Sequence, residues 1–326
     1  MDYLTDPFLV DPQYFDGPVL VTGAGGCIGA WVVAILTRSG VPVVAMDLTD
    51  DRRRPALLLG DDLAASLVWE TGDIGDGDGL EATVARHGVR AIVHMAGLQV
   101  PFCKANPAAG ARVNVEGTVN VLQAARAANI KRTVYTSSVA AYGMPPDGAY
   151  LATLYGVYKK ANEWTAAVYW QDWEVPSIGI RPNVVYGVCR DQGMSSKGTV
   201  AIHAAAAGVA YEVPFAGRVS WLYAGEAAAA MIACVSADQS GAPVFDLNGT
   251  CERVETGLDL LRGLVPEAKV SCTGTEFPFP PDLDDGPLRA HVGEYPSVSL
   301  KDGIAQTYRA FKELVAQGRM DPALIA

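Results

Sequence analysis

The stretch that most constrains this chain is Thr22–Gly29, TGAGGCIG, where glycines recur as Gly23-x-x-Gly26-x-x-Gly29. It follows PVLVT at 18–22, a short apolar run that reads as a buried strand. It opens an apolar segment to about Ser39 that reads as a helix. In a strand–turn–helix unit the first glycine allows a tight turn. The second lets backbone approach a pyrophosphate, whose charge favours the helix N-terminus, and the third permits close helix–sheet packing. The plain alternative is a purely structural turn, but spacing and context together favour a dinucleotide site at Gly23, Gly26 and Gly29, with Cys27 and Ile28 opening the helix.

The rest of the first half repeats the alternation. Strands are expected at 41–46, 67–71, 91–95, 131–137 and 175–180, and helices at 78–87, 108–128 and 155–171. Strands alternating with helices imply a parallel sheet covered on both faces, and right-handed crossovers make the α/β doubly wound sheet the expected topology. Asp47 ends the second strand, 18 residues after Gly29. A carboxylate there can accept both adenosine ribose hydroxyls and repel a 2′-phosphate. It favours NAD over NADP, and the next residue, Leu48, is not basic. Arg52–Arg54 form either a solvated loop or a contact to an adenosine phosphate.

The pattern weakens after Gly187. Helices are expected at 199–208, 223–235, 254–264 and 302–317, while 274–297, with five prolines, reads as mostly loop and 1–17 has no firm pattern. The expected division is a mainly dinucleotide-binding domain over 1–187 and a mainly substrate-binding lobe over 188–326. Elements around 222–250 are candidates to return to the sheet.

Composition excludes several classes. Half the residues are apolar or aromatic and 19% are charged, which argues against global disorder. Twenty-five basic residues against 36 acidic ones, a net charge of -11, argue against a broad nucleic-acid footprint. The six cysteines form no CxxC pair and the four histidines no HExxH, so no metal site is expected. No apolar run has the length of a signal or a membrane span. A soluble, cytoplasmic protein in a reducing compartment is the expectation.

Tyr155 and Lys159 are four apart in an expected helix and therefore share a face. A free phenol, with a pKa of about 10, is a poor base at neutral pH, and a nearby ammonium lowers that value.

Taken together, TGAGGCIG at 22–29, Asp47, GDI at 72–74, VHMAG at 93–97, NVEGT at 114–118, SSVAAYG at 137–143, YGVYK at 155–159 and RPNVVYG at 181–187 carry a family resemblance. The chain resembles the extended short-chain dehydrogenase/reductase family, in its NAD-dependent sugar epimerase/dehydratase branch. The resemblance implies a Rossmann sheet with a smaller C-terminal substrate lobe and an NAD cofactor. It implies Asp73 and Ile74 near the adenine and Met95, Ala96 and Gly97 along the dinucleotide. Asn114 would help hold the active-site strand and helix. Tyr155 would exchange the substrate hydroxyl proton, Lys159 would hold the nicotinamide ribose and tune Tyr155, and Ser138 would hydrogen-bond the reacting oxygen. Ser137 would point elsewhere. A homodimer through the helices at 108–128 and 155–171 is also implied. Ala161, Trp164, Ala167 and Val168 form either that contact or intramolecular core.

Departures from the branch narrow the substrate. Where dehydratases place an Asp–Glu pair after the catalytic hydroxyl, this chain has Val139 and Ala140, so eliminating water lacks its acid and base. The Asn of R-x-x-N that contacts a nucleotide diphosphate is Val184 here, with Asn183 one place early. The phosphate-gripping Arg of a later segment is Val219, next to Arg218. The substrate is therefore expected to be a small sugar, sugar acid or related polyol. Gln99, Ser138, Asn183, Arg190, Ser195 and Trp221 are candidates to line its site, Arg190 being either a carboxylate clamp or a solvated loop residue. The expected activity is NAD-dependent oxidation of a secondary hydroxyl. The alternatives are epimerisation through a transient ketone and a non-catalytic NAD-binding scaffold.

Overall fold

The computed structural model describes residues 2–143 and 149–320. Its strands are β1 (Val19–Thr22), β2 (Val43–Asp47), β3 (Val68–Thr71), β4 (Ala91–His94), β5 (Arg132–Thr136), β6 (Ile178–Pro182), β7 (Val185–Tyr186), β8 (Tyr211–Val213), β9 (Arg218–Tyr223), β10 (Val244–Leu247), β11 (Thr250–Arg253) and β12 (Val270–Cys272). Seven of them form one parallel sheet in the order β10-β6-β5-β4-β1-β2-β3. Two small sheets, β11-β9-β7 and β12-β8, build the second lobe.

Strand alternation divides the core into two layers. Val19, Val21, Ala91, Val93 and Val134 face one layer, which contains the helix Cys27–Arg38 and the helix Ala224–Ala233. Leu20, Ile92 and Tyr135 face the other, with Leu80, Val121, Leu122 and Ala166 from three helices. The strand order reverses between β1 and β4, parallel neighbours whose carboxyl ends lie side by side. In a sheet of this kind that switch point is where a ligand binds.

From the 222–250 region, a candidate to return to the sheet, β10 joins it as a seventh parallel strand, pairing with β6 through Val244↔Gly179 and Leu247↔Pro182. Other expectations change. The helix expected over 108–128 is broken. Pro107–Ala111 runs into a wide π turn at Arg112–Glu116 before Gly117–Ala127 continues. Within that turn the Asn114 side-chain amide donates to the Leu98 and Gly110 carbonyls. Arg53 and Arg54 open a helix, Arg53–Leu59. The N-terminal extension forms three short 3-10 turns, and its Leu4 and Phe8 are fully buried. Phe8 packs against Trp31 and Tyr223 at 6.2 and 6.1 Å between ring centroids. The loop region 274–297 carries one helix, Gly286–Val292. No helix among the described residues is long and apolar enough to cross a membrane.

Glu226, at the start of the helix Ala224–Ala233, is a buried carboxyl. Burial pushes its pKa up to about 7, against opposition from the Val298 N–H and Arg289. The folded chain therefore holds a proton that the unfolded chain releases at lower pH. Its stabilising effect is complete below the ordinary carboxylate range and is lost as pH rises towards 7. Chemical denaturation of the wild type and Glu226→Gln should show the wild type losing stability relative to the variant between pH 4.5 and 7. Each unit of upward shift is worth about 1.4 kcal/mol. A pH-independent difference would contradict this assignment.

Candidate active site

The glycine turn is set by close backbone approach. Gly23 has φ +70°, and a Cβ on Gly29 would lie 2.1 Å from the Gly23 carbonyl oxygen. No side chain fits between strand end and helix start, so the helix N-terminus opens directly onto the end of β1. Asp47 Oδ2 accepts from the Gly25 N–H at 2.8 Å and Oδ1 from the Leu48 N–H at 2.7 Å, which ties the turn to the end of β2. A cavity of about 380 Å³ runs from there, lined by Gly23, Gly26, Cys27, Asp47, Leu48, Asp73, Ile74, Met95, Ala96, Gly97 and Val113. Asp73 accepts from the Gly75 N–H and from Arg112, both at 2.8 Å, and these hold its pKa below the usual carboxylate range.

The arginine run is solvated only at Arg53, whose side chain is 82% exposed, and each of its members has an acidic partner. Arg52 pairs with Asp50, Arg53 with Asp51 and Arg54 with Asp191. Arg54 also donates to the Gly25 carbonyl at 2.7 Å, bracing the glycine turn from outside.

A second cavity adjoins the first, sharing Gly23, Gly26, Cys27, Met95, Gly97, Gln99 and Arg190 with it. Ser138, Tyr155 and Lys159 line it, as do Ile28 and Gly29. Tyr155 and Lys159 lie in the helix Leu154–Trp173, whose first turn is capped by Thr153 through the Gly156 N–H at 3.0 Å. Burial raises the Tyr155 phenol above its ordinary pKa, while a hydrogen bond with the Ser138 hydroxyl and the charge of Arg190 oppose that rise. Lys159 donates to the Thr136 carbonyl at 2.7 Å, and its Nζ stands 5.5 Å from the Tyr155 ring centroid. Burial lowers its pKa to about 8. The charge of Arg190 opposes the effect of burial at the phenol. Tyr158 points away, donating to the Pro107 carbonyl at 2.9 Å.

Ser137 reaches the cavity wall, but its hydroxyl is committed to Glu163, to which it donates at 2.6 Å. Glu163 is buried and accepts from Arg181 at 2.6 and 2.7 Å and from Lys160 at 2.9 Å. Burial pushes this carboxyl up, and the donors outweigh it, leaving its pKa below the ordinary value. Asn114 lies behind the cavity wall. A Cβ on Gly97 would come 2.8 Å from its Oδ1, and its carbonyl accepts from Asn162 of the Tyr155 helix at 2.9 Å.

The expected substrate contacts divide. Gln99, Arg190 and Ser195 line the second cavity. Asn183 reaches the wall, but its amide is committed to Asn248 at 2.8 Å, the Pro280 carbonyl at 2.9 Å and the Val184 N–H at 2.9 Å. Trp221 is not in the wall: it is buried beneath Gly198 and Gly257, edge-on to Tyr186 at 5.3 Å. Every residue of β9 after Arg218 is buried, so strand alternation does not separate cavity from core there. Val139, Ala140 and Val184 line the cavity as apolar groups. Arg218 is held by Asp282 at 2.9 Å and does not replace the arginine missing at Val219. Sequence reasoning missed Phe277 and Phe279, which reach the cavity from the proline-rich loop. The one available signal was the apolar run FPFPP within an acidic stretch.

A family model described as "NAD dependent epimerase/dehydratase family" matches residues 19–248. The chain belongs to that family. Among curated proteins it is 34% identical over 143 residues to a UDP-glucose 4-epimerase of Azospirillum brasilense, covering 44% of this chain and 38% of the relative. It is 35% identical over 178 residues to a putative dihydroflavonol 4-reductase of Synechocystis, covering 50% of this chain and 49% of that one. These matches thus span less than half of the relatives' own length. Among solved structures, a UDP-glucose 4-epimerase with UDP-glucose from Thermotoga maritima superposes with a TM-score of 0.77 at 20% identity, covering 91% of this chain and 99% of that one. A GalE-like L-threonine dehydrogenase from Cupriavidus necator gives 0.75 at 21%, covering 90% and 99%. At such identities these two establish the fold alone.

The family's cofactor is NAD, and the cavity fits it. The glycine turn offers backbone at a helix N-terminus for the pyrophosphate, and Asp47 stands where ribose hydroxyls need acceptors. The three arginines that could hold a 2′-phosphate already have acidic partners. Asp47→Ala should weaken NAD binding by about tenfold or more, as loss of charge-assisted hydrogen bonds does. It should not admit NADP. Equilibrium titrations with both dinucleotides check this, and a variant that binds NADP as tightly as the wild type binds NAD would contradict it.

Proposed function

We propose that the chain is an NAD-dependent oxidoreductase that interconverts a secondary alcohol and a ketone on a small substrate lacking a nucleotide diphosphate. The observation that carries this reading is that Ser138, Tyr155 and Lys159 line one cavity continuous with the glycine turn. Held by the first cavity, the dinucleotide would supply the hydride acceptor that turns alcohol into ketone, and the protein's own part is to receive the hydroxyl proton. Tyr155 is the proton carrier and Ser138 orients the reacting oxygen. Lys159, fixed to the Thr136 carbonyl, contributes positive charge beneath the site. Burial favours the protonated phenol, which suits donation to a carbonyl in the reductive direction; in the oxidative direction the phenol must first release its own proton before it takes the hydroxyl proton. Val139 and Ala140 supply no acid or base for dehydration. Val184 and Val219 leave a nucleotide diphosphate without its expected contacts.

The curated epimerases at 32–37% identity favour a second reading, epimerisation through a retained ketone. A screen of alcohols and sugars with NAD separates the two: release of NADH indicates dehydrogenation, and inversion without free NADH indicates epimerisation. In either case Tyr155→Phe should lower kcat by about 100- to 10,000-fold with NAD affinity unchanged. Full activity in that variant would remove Tyr155 from the reaction.

The protein is further proposed to act as a homodimer through the helix Leu154–Trp173. On the single chain Trp164 is 66% exposed and Val168 45%, with Leu154 and Val157 also exposed, so this face is not intramolecular core. An aromatic ring so placed is a natural centre for an interface. Trp164→Glu should convert a dimer to a monomer in light scattering. A wild type that is already monomeric would overturn the proposal.

A further inference from the structure

The second cavity, about 240 Å³ in volume, has two unlike halves. On one side Arg190 donates to Ser195 Oγ at 2.8 Å, while its Nε has no partner although shielded from solvent. The side-chain oxygen of Gln99 is likewise enclosed and unpartnered. Part of the lining is apolar: Phe277 and Phe279, 8% and 6% exposed, stand 5.3 Å apart, and Phe215 backs Phe277 at 4.8 Å. The Pro278 carbonyl accepts from the Leu151 N–H at 3.1 Å, which ties this aromatic pair to the segment leading into the Tyr155 helix.

Other polar side chains at the wall are already committed. Asn183 is used by Asn248, Pro280 and Val184, Ser137 by Glu163, and Lys159 by Thr136. A polyol entering here would leave hydroxyls without partners, each costing about 1–3 kcal/mol. A guanidinium in the cavity lining is suited to a carboxylate, which it can meet through charge-assisted hydrogen bonds from its terminal N–H groups.

We propose that the substrate is a small hydroxy or keto carboxylic acid bearing an apolar substituent, its carboxylate on Arg190 and its alkyl or aryl group against Phe277 and Phe279. This replaces the sugar or polyol expected from the sequence, and it rests on the oxidoreductase reading above.

The test uses the full chain with NAD and matched compounds: hydroxy acids with alkyl or phenyl substituents, their methyl esters, aldonates of equal chain length, free sugars and nucleotide sugars. The apolar hydroxy acids should exceed their esters and the aldonates by about 10- to 100-fold in kcat/KM, the range of a charge-assisted pair. Arg190→Gln should erase the preference for acid over ester, and Arg190→Lys should restore part of it. Phe279→Ala should erase the preference for apolar over hydroxylated substituents. A retained melting temperature in each variant would show that folding is intact. If an aldonate, a sugar or an ester is turned over as well as the apolar acid, through Tyr155, the substrate proposal falls and the oxidoreductase reading stands. If nothing in the panel is turned over or inverted, both fall.

Discussion

The arrangement of the site depends on one buried ion pair. Glu163, enclosed by protein, takes two hydrogen bonds from Arg181 of β6 and one from Ser137 at the end of β5. Tyr155, Lys159 and Glu163 recur at intervals of four and share one face of their helix. Fixing Glu163 against two strand ends sets the rotation of that helix about its axis, which turns the phenol towards Ser138. The network continues to the seventh strand, since Tyr142 donates to Asp246 of β10 at 2.8 Å and lies 3.0 Å from Arg181. Burying such charges is expensive, and removing one partner would leave the other uncompensated. Its return here is geometric: one orientation of the catalytic helix relative to the sheet.

The dinucleotide half was largely legible in the sequence because its determinants are local. Glycines at fixed spacing, an acid at a strand end and a Tyr–Lys pair one turn apart each act within a few residues of chain. The substrate half was not. Phe277 and Phe279 meet Tyr155 across more than a hundred residues, and no periodicity marks them. Trp221 looked like a wall residue, yet β9 is covered on both sides and buries it in the small lobe. The arginine run could not be read either, because its neutralisation depends partly on Asp191, far away in sequence. The π turn around Asn114 escaped notice because it leaves the apolar pattern of its helix intact.

The same division shows in what family membership settles. The matched span ends at residue 248, so the aromatic wall lies beyond it. The shared part brings the glycine turn, Asp47 and the Ser–Tyr–Lys arrangement to one switch point. What meets them there is decided by the loop around Arg190 and by a proline-rich segment contributed late in the chain.

The central claim is that the two adjoining cavities work as one site, with the phenol beside the reactive end of the dinucleotide. A crystal structure of the protein with NAD bound tests it most directly. The account predicts the pyrophosphate on the Gly23–Gly29 turn, the adenosine ribose on Asp47 and the nicotinamide in the cavity lined by Ser138 and Tyr155. A nicotinamide lying elsewhere, or a phenol turned out of that cavity in the complex, would contradict it.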